Sequence, residues 1–126
     1  MFSHVMLGSN DLERSRKFYD AVLGTLGISP GFLDKYRYFY RGNGGLFGVS
    51  IPIDGESACH ANGGTVGFAA DDPEKVDAFH EAGLANGGTS IEDPPGWRDS
   101  AFGRFYLAYL RDPDGNKICA LHRPKR

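Results

Sequence analysis

Residues 4–27 read HVMLGSNDLERSRKFYDAVLGTLG, and residues 65–88 read TVGFAADDPEKVDAFHEAGLANGG. At an offset of 61 the two segments share Val5/Val66, Asp11/Asp72, Glu13/Glu74, Phe18/Phe79, Ala21/Ala82, Leu23/Leu84 and Gly27/Gly88. A shuffled chain of this composition would give roughly one or two such matches. Each copy opens with a short apolar run, Val5 to Gly8 and Val66 to Ala70, read as a strand. Each then offers a capping box, Asn10 with Glu13 and Asp71 with Glu74, at a helix start. Pro73 fits the first turn of the second helix, where a missing N–H costs nothing. Leu12, Ser15, Phe18, Val22, Leu23 and Leu26 form the apolar stripe of the first helix. Val76, Phe79, Gly83 and Leu84 form that of the second. Gly27 and Gly87–Gly88 stop the two helices.

Outward from each copy lie extended segments. Strands are expected near Ile28–Leu33, Tyr36–Arg41 and Leu46–Ile53, the last two joined at Gly42-Asn43-Gly44-Gly45. Their counterparts are expected near Thr89–Glu92, Phe105–Arg111 and Lys117–His122. Asp112-Pro113-Asp114-Gly115-Asn116 suits a type I turn with a glycine bulge. The chain therefore reads as one domain of two β-α-β-β-β modules, 1–53 and 63–122, with a linker at 54–62 and a basic tail at 123–126. Eighteen glycines, about twice the usual share of ~7%, cluster at these turns.

Composition narrows the function. A net charge of −2 leaves no broad basic field for nucleic acid. No apolar run approaches the ~20 residues that span a bilayer. Two cysteines, Cys59 and Cys119, make no secreted disulfide framework, so a reducing cytoplasm is expected. There is no GxGxxG at a strand–helix junction and no phosphate-cradling GxxxxGK[ST] loop.

The two segments quoted above, with YLAYLRDPDGNKICALH at 106–122, resemble the vicinal oxygen chelate superfamily of glyoxalases, bleomycin-resistance proteins and dioxygenases. The resemblance covers nearly the whole chain. It implies an α+β fold of two tandem β-α-β-β-β modules, with curled sheet around a cleft and helices outside. It also implies a homodimer, and in most relatives a divalent metal chelated by the substrate. By strand alternation His4 and Met6 face away from the first helix, and Thr65 and Gly67 away from the second. The family's four metal ligands fall at His4, near Gly48, at Thr65 and at Cys119. Glycine has no donor and threonine a poor one, so no family-type metal is expected. A divalent metal at His4 is the alternative.

His4 is the candidate catalytic residue, as base or hydrogen-bond donor. If the last turn pairs Asp112 with Asn116, Tyr109 lies opposite Cys119, and Phe105 shares their face while Tyr106 meets the helix. In Lys35-Tyr36-Arg37-Tyr38-Phe39-Tyr40-Arg41 either parity gives one tyrosine face and one with Arg37, Phe39 and Arg41. Trp97 and Arg98 are read as loop residues beside the cleft. Arg37, Tyr38, Trp97, Arg98, Phe105, Tyr109 and Cys119 are thus the candidate binding residues for a small aromatic or anionic organic molecule. Sequestration of such a ligand is the first reading. A metal-dependent lyase, isomerase or dioxygenase of the glyoxalase type is the second, and a metal-free enzyme with His4 as base the third.

Overall fold

The repeat folds twice into the same unit. The computed structural model describes residues 1–125. The first module contains β1 (His4–Gly8), α1 (Leu12–Gly24), β2 (Phe32–Asp34), β3 (Arg37–Gly42) and β4 (Gly45–Ser50). The second contains β5 (Val66–Ala69), α2 (Pro73–Ala85), β6 (Thr89–Ser100), β7 (Gly103–Arg111) and β8 (Lys117–His122). Each module makes its own four-stranded sheet, in the orders β1-β4-β3-β2 and β5-β8-β7-β6. In each, the first strand pairs parallel with the last, and the remaining pairs are antiparallel. The fold class is the α+β class expected, and the two sheets are separate and not closed on each other.

Both helices start one residue later than the capping boxes imply. Asp11 and Asp72 are the N-caps, accepting from Arg14 N and Lys75 N at 3.1 and 2.9 Å. Asn10 is engaged elsewhere. Its side-chain amide donates to Ala58 O and accepts from Ala58 N, pinning the linker over the end of β1. Glu13 binds Arg16 and Tyr38. At the other ends, Ile28 N donates to Leu23 O and Gly88 N to Gly83 O, the 6→1 bond of a Schellman close. The left-handed residues there are Gly27 (φ 83) and Gly87 (φ 97). The structural offset is therefore 60 at this point, and Gly27 corresponds to Gly87, not Gly88.

α1 and α2 pack against each other, and one core forms between them and the helix-facing sides of both sheets. Phe18, Tyr19, Val22 and Leu23 of α1 meet Val76 and Phe79 of α2 in it. Leu84, expected on the buried stripe, is 47% exposed, because the stripe of α2 is narrowed to Val76, Phe79 and Gly83. Gly83 allows this closeness, since a Cβ there would come within 2.3 Å of Leu110 Cδ1.

The Asp112–Asn116 turn forms as expected. Gly115 N donates to Asp112 O, Asp112 N to Asn116 O, and Gly115 has φ 91. Tyr109 consequently pairs with Cys119. Three strand bounds differ by three residues or more, and β4 ends at Ser50 rather than Ile53. Residues 28–31 are outside any strand, and β2 begins at Phe32. β6 runs from Thr89 to Ser100, continuing past a bulge between Ile91 and Gly96. Trp97 and Arg98 are therefore strand residues, paired with Tyr106 and Phe105, and not part of a loop. The bulge is held by Arg98 itself, whose guanidinium donates to the carbonyls of Asp93, Pro94, Gly96 and Leu107.

Candidate functional site

Three tyrosines fix which side of each sheet is which. Tyr38 donates to Glu13 at 3.0 Å and Tyr40 to Asp20 at 2.7 Å, both on α1. Tyr106 donates to Asp77 on α2 at 2.7 Å. A strand alternates its side chains, so the residues between these tyrosines face away from the helices. In the first sheet those are Arg37, Phe39 and Arg41 on β3, with His4 and Met6 on β1 and Gly48 on β4 in register beside them. In the second they are Phe105, Leu107 and Tyr109 on β7, with Lys117, Cys119 and Leu121 on β8 and Arg98 on β6.

The candidate residues divide accordingly. Arg37 is on the outer face of the first sheet, held between rings, 5.6 Å from the Tyr36 centroid and 5.5 Å from that of Phe39. It also binds Asp34 at 3.3 Å, and its Nε is buried with no partner among the described residues. Tyr38 is on the opposite face, turned into α1, and so stands apart from Arg37. Phe105, Tyr109 and Cys119 share the outer face of the second sheet, as expected. Trp97 does not join them. It packs edge-to-face on Tyr106 (5.3 Å) and against His122 (6.5 Å), on the helix side. Arg98 is on the outer face, but its donors are largely used by the four carbonyls of the bulge. His4 is exposed, with Nδ1 2.7 Å from the Ser3 hydroxyl.

Three further cations share these faces. Arg41 extends the Arg37–Phe39 row. Lys117 lies 4.7 Å from the Tyr109 ring and pairs with Glu92, and Arg123 lies 5.0 Å from the Phe105 ring. The Tyr109–Cys119 pairing, legible in the turn, carries Lys117 with it. Nothing in the sequence marked Arg123, which reads as part of a solvated tail.

The four positions that the resemblance assigns to metal ligands are His4, Gly48, Thr65 and Cys119. A side chain at Gly48 would begin 2.6 Å from Met6 Sδ and 3.1 Å from Phe39 Cδ1, so a thioether and a ring fill that place. The Cys119 thiol is buried, and desolvation raises its pKa to about 11. The set thus offers one imidazole and one buried thiol, where a divalent ion needs three or four donors. No group of three His, Cys, Asp or Glu side chains converges among the described residues.

The same thiol makes a chemical prediction. At pH 8 a thiol reagent should label Cys59, which is exposed, and leave Cys119 unlabelled until the chain is denatured. Because the folded pKa of Cys119 is raised, its contribution to stability is complete below the unfolded value near 8.5 and is lost as pH rises toward 11. Mass spectrometry finding both thiols labelled at equal rates in the native chain would contradict this burial.

Two clefts lie on the seam between the modules, on either side of the β1 and β5 edges. The larger, of about 400 Å³, is lined by residues of β1, the end of α1, the Gly42–Gly45 turn and β5. The smaller, of about 160 Å³, is lined by Leu7, Ala61, Gly64, Thr65, Val66, Asn116 and Lys117. Of the eight candidate residues, His4 lines the larger cleft, and the other seven line neither.

Residues 1–120 match the family model described as the Glyoxalase/Bleomycin resistance protein/Dioxygenase superfamily. A crystal structure of a glyoxalase/bleomycin resistance protein from Albidiferax ferrireducens T118 is 69% identical, with a TM-score of 0.95, over 97% of this chain and 98% of that one. Two more distant structures share the fold. A glyoxalase-related enzyme from Fulvimarina pelagi is 22% identical (TM-score 0.74; 98% and 88% covered). A lactoylglutathione lyase from Agrobacterium tumefaciens is also 22% identical (TM-score 0.66; 97% and 92% covered). Comparison with curated proteins finds no match. With its paired modules, their parallel closing strands and a family match over residues 1–120, the chain belongs to the glyoxalase/bleomycin resistance protein/dioxygenase superfamily.

Proposed function

We propose that this protein binds a small aromatic, anionic organic molecule on the outer sheet faces, and does so without the metal of its family. The carrying observation is the alternation of rings and cations there, Arg37 beside Phe39, Lys117 over Tyr109 and Arg123 over Phe105. Rings supply apolar contact and guanidinium groups bind carboxylate or phosphate in a planar fork. The buried Arg37 Nε, which has no partner among the described residues, supports the same reading, since a buried donor is costly until something accepts from it. The donor set at His4, Gly48, Thr65 and Cys119 supports the absence of a metal. A cytoplasmic homodimer is part of the proposal. Phe2, Phe32, Leu33 and Phe102 are exposed, and β2 and β6 end their sheets as edges that a second copy would cover.

The test has two arms. Elemental analysis after loading with nickel, zinc, manganese or iron should find well under one ion per chain, and a stoichiometric ion lost in His4→Ala would overturn the metal-free reading. A thermal-shift screen of aromatic carboxylates and phosphates should find ligands whose stabilisation falls at least tenfold in apparent affinity in Arg37→Ala. Stabilisation by uncharged aromatics alone, or full retention of binding in that variant, would remove the anionic assignment.

A further inference from the structure

The two seam clefts are pseudo-symmetric counterparts. Thr65, Val66 and Lys117 line the smaller, and their equivalents His4, Val5 and Leu46 line the larger. Their sizes differ because the two hairpin turns differ. The Asp112–Asn116 turn sends Asp114 into the β1–α1 junction, where it accepts from Asn10 N, Arg14 Nη2 and Ser15 Oγ at 2.9, 2.7 and 3.1 Å. The Gly42–Gly45 turn is one residue shorter and carries no carboxylate. At the equivalent β5–α2 junction the positions of Asn10, Arg14 and Ser15 are taken by Asp71, Lys75 and Val76, and Asp71 lines the cleft with the turn. Asp71 already binds Lys75 at 3.3 Å. The shorter turn has nothing to seat there, and the space beneath it stays open.

The open space has an apolar floor of Leu23, Leu26, Ile28, Phe47 and Phe68. Its rim is polar, with the glycine-rich turn on one side and His4 and Asp71 on the other. Tyr40 also lines the cleft, with its hydroxyl bonded to Asp20. A rim with both a carboxylate and an imidazole favours neither sign of charge. At about 400 Å³ the cleft falls in the range of small-ligand sites.

We propose that this seam cleft binds a small uncharged amphiphile, its apolar body on the Leu23–Phe68 floor and its hydroxyl or amide at the Gly42–Gly45 rim. The site meets the outer face of the first sheet at His4 and Leu46, but the proposal does not depend on what the outer faces bind. The test uses hexan-1-ol, titrated into the isotope-labelled full chain. Saturable amide shifts are expected in residues 44–47 and 66–69, with contacts from the alcohol's methylene protons to the methyls of Leu23, Leu26 and Ile28. Hexanoate and hexylammonium should bind at least threefold more weakly. Gly42 lines the cleft on the same strand parity as Tyr40, and a Cβ there meets nothing within 4 Å. Gly42→Leu should therefore fold and lower hexanol affinity at least tenfold. Shifts that do not saturate, contacts that gather at Phe39 or Leu107, tighter binding of either ion, or unchanged binding in Gly42→Leu would overturn the proposal. If that variant does not fold, the wild-type contacts to the three methyl-bearing residues decide alone.

Discussion

Replacing Asp112 with alanine should lower the unfolding free energy by about 3–5 kcal/mol, a large share of a small domain's stability. Asp112 is 4% exposed, yet four donors converge on it. Tyr19 donates its hydroxyl at 2.6 Å across 93 positions of sequence. Asn116 donates both its side-chain amide and its backbone N–H, and Asp114 donates its backbone N–H. Alanine leaves the Tyr19 hydroxyl and the Asn116 backbone N–H buried without this acceptor, takes one of two acceptors from the Asn116 amide and frees the part-buried Asp114 N–H, and each orphan costs about 1–3 kcal/mol unless water reaches it. The turn would also lose the shape that delivers Asp114 to Arg14 and Ser15, and that lets Asn116 donate to Gly8 O at 3.0 Å. Urea unfolding is the measurement. A loss below about 1 kcal/mol would mean that water satisfies the donors and that the turn holds its form without the carboxylate.

Phe47→Ala should cost a similar amount, about 3–5 kcal/mol, by a different route. Phe47 is 7% exposed and stands on β4 facing α1. Its ring lies 4.9 Å from that of Tyr19 and 6.2 Å from that of Tyr40, within the first module. It also meets Phe68 of the second module edge-to-face at 5.0 Å. Among the described residues no strand pairing joins the two sheets, and this ring contact links them directly, beside the packing of α1 on α2. Truncation opens a void that backbone paired on both sides cannot easily close. Hydrogen exchange should show the β5 edge, Val66–Ala69, losing protection more than the β2–β3 hairpin. Equal losses throughout would show that the modules unfold as one unit whatever joins them.

The fold was legible because duplication repeats every signal. A lone Asn-x-x-Glu or Asp-x-x-Glu is weak, but one at Asn10 and the other at Asp71, an offset of 61, each followed by the same aromatic and a glycine stop, leave few alternatives. The residual errors have local causes. The caps slipped by one because Asn10 and Asp11 are both good caps, and only the grip of Asn10 on Ala58 decides between them. β6 read short because Pro94 and Pro95 look like a break, whereas a bulge fastened by Arg98 carries the strand through them. The functional faces were half legible. Turn chemistry set the β7–β8 register and so placed Phe105, Tyr109 and Cys119 together. The β3 row offered no such anchor: alternation parts Tyr38 from Arg37, but only the claim of Glu13 and Asp20 of α1 on the tyrosine hydroxyls shows which face meets the helix. The seam clefts depend on how two modules meet, which no local pattern encodes.

The bonds of the Asp112–Asn116 turn have a bearing on biosynthesis. Asn10 and Asp114 are 104 positions apart, and Asn116 reaches back 108 positions to Gly8. A ribosome adding about 5–20 residues per second makes the chain's early half wait several seconds for these late partners. During that interval β1 and α1 exist without their clasp, and their apolar edge is open to any neighbouring nascent chain. Contacts so distant in sequence also slow the search for the native state. The vulnerable moment for this protein is thus its own translation, and a pause between codons 62 and 110 would prolong it.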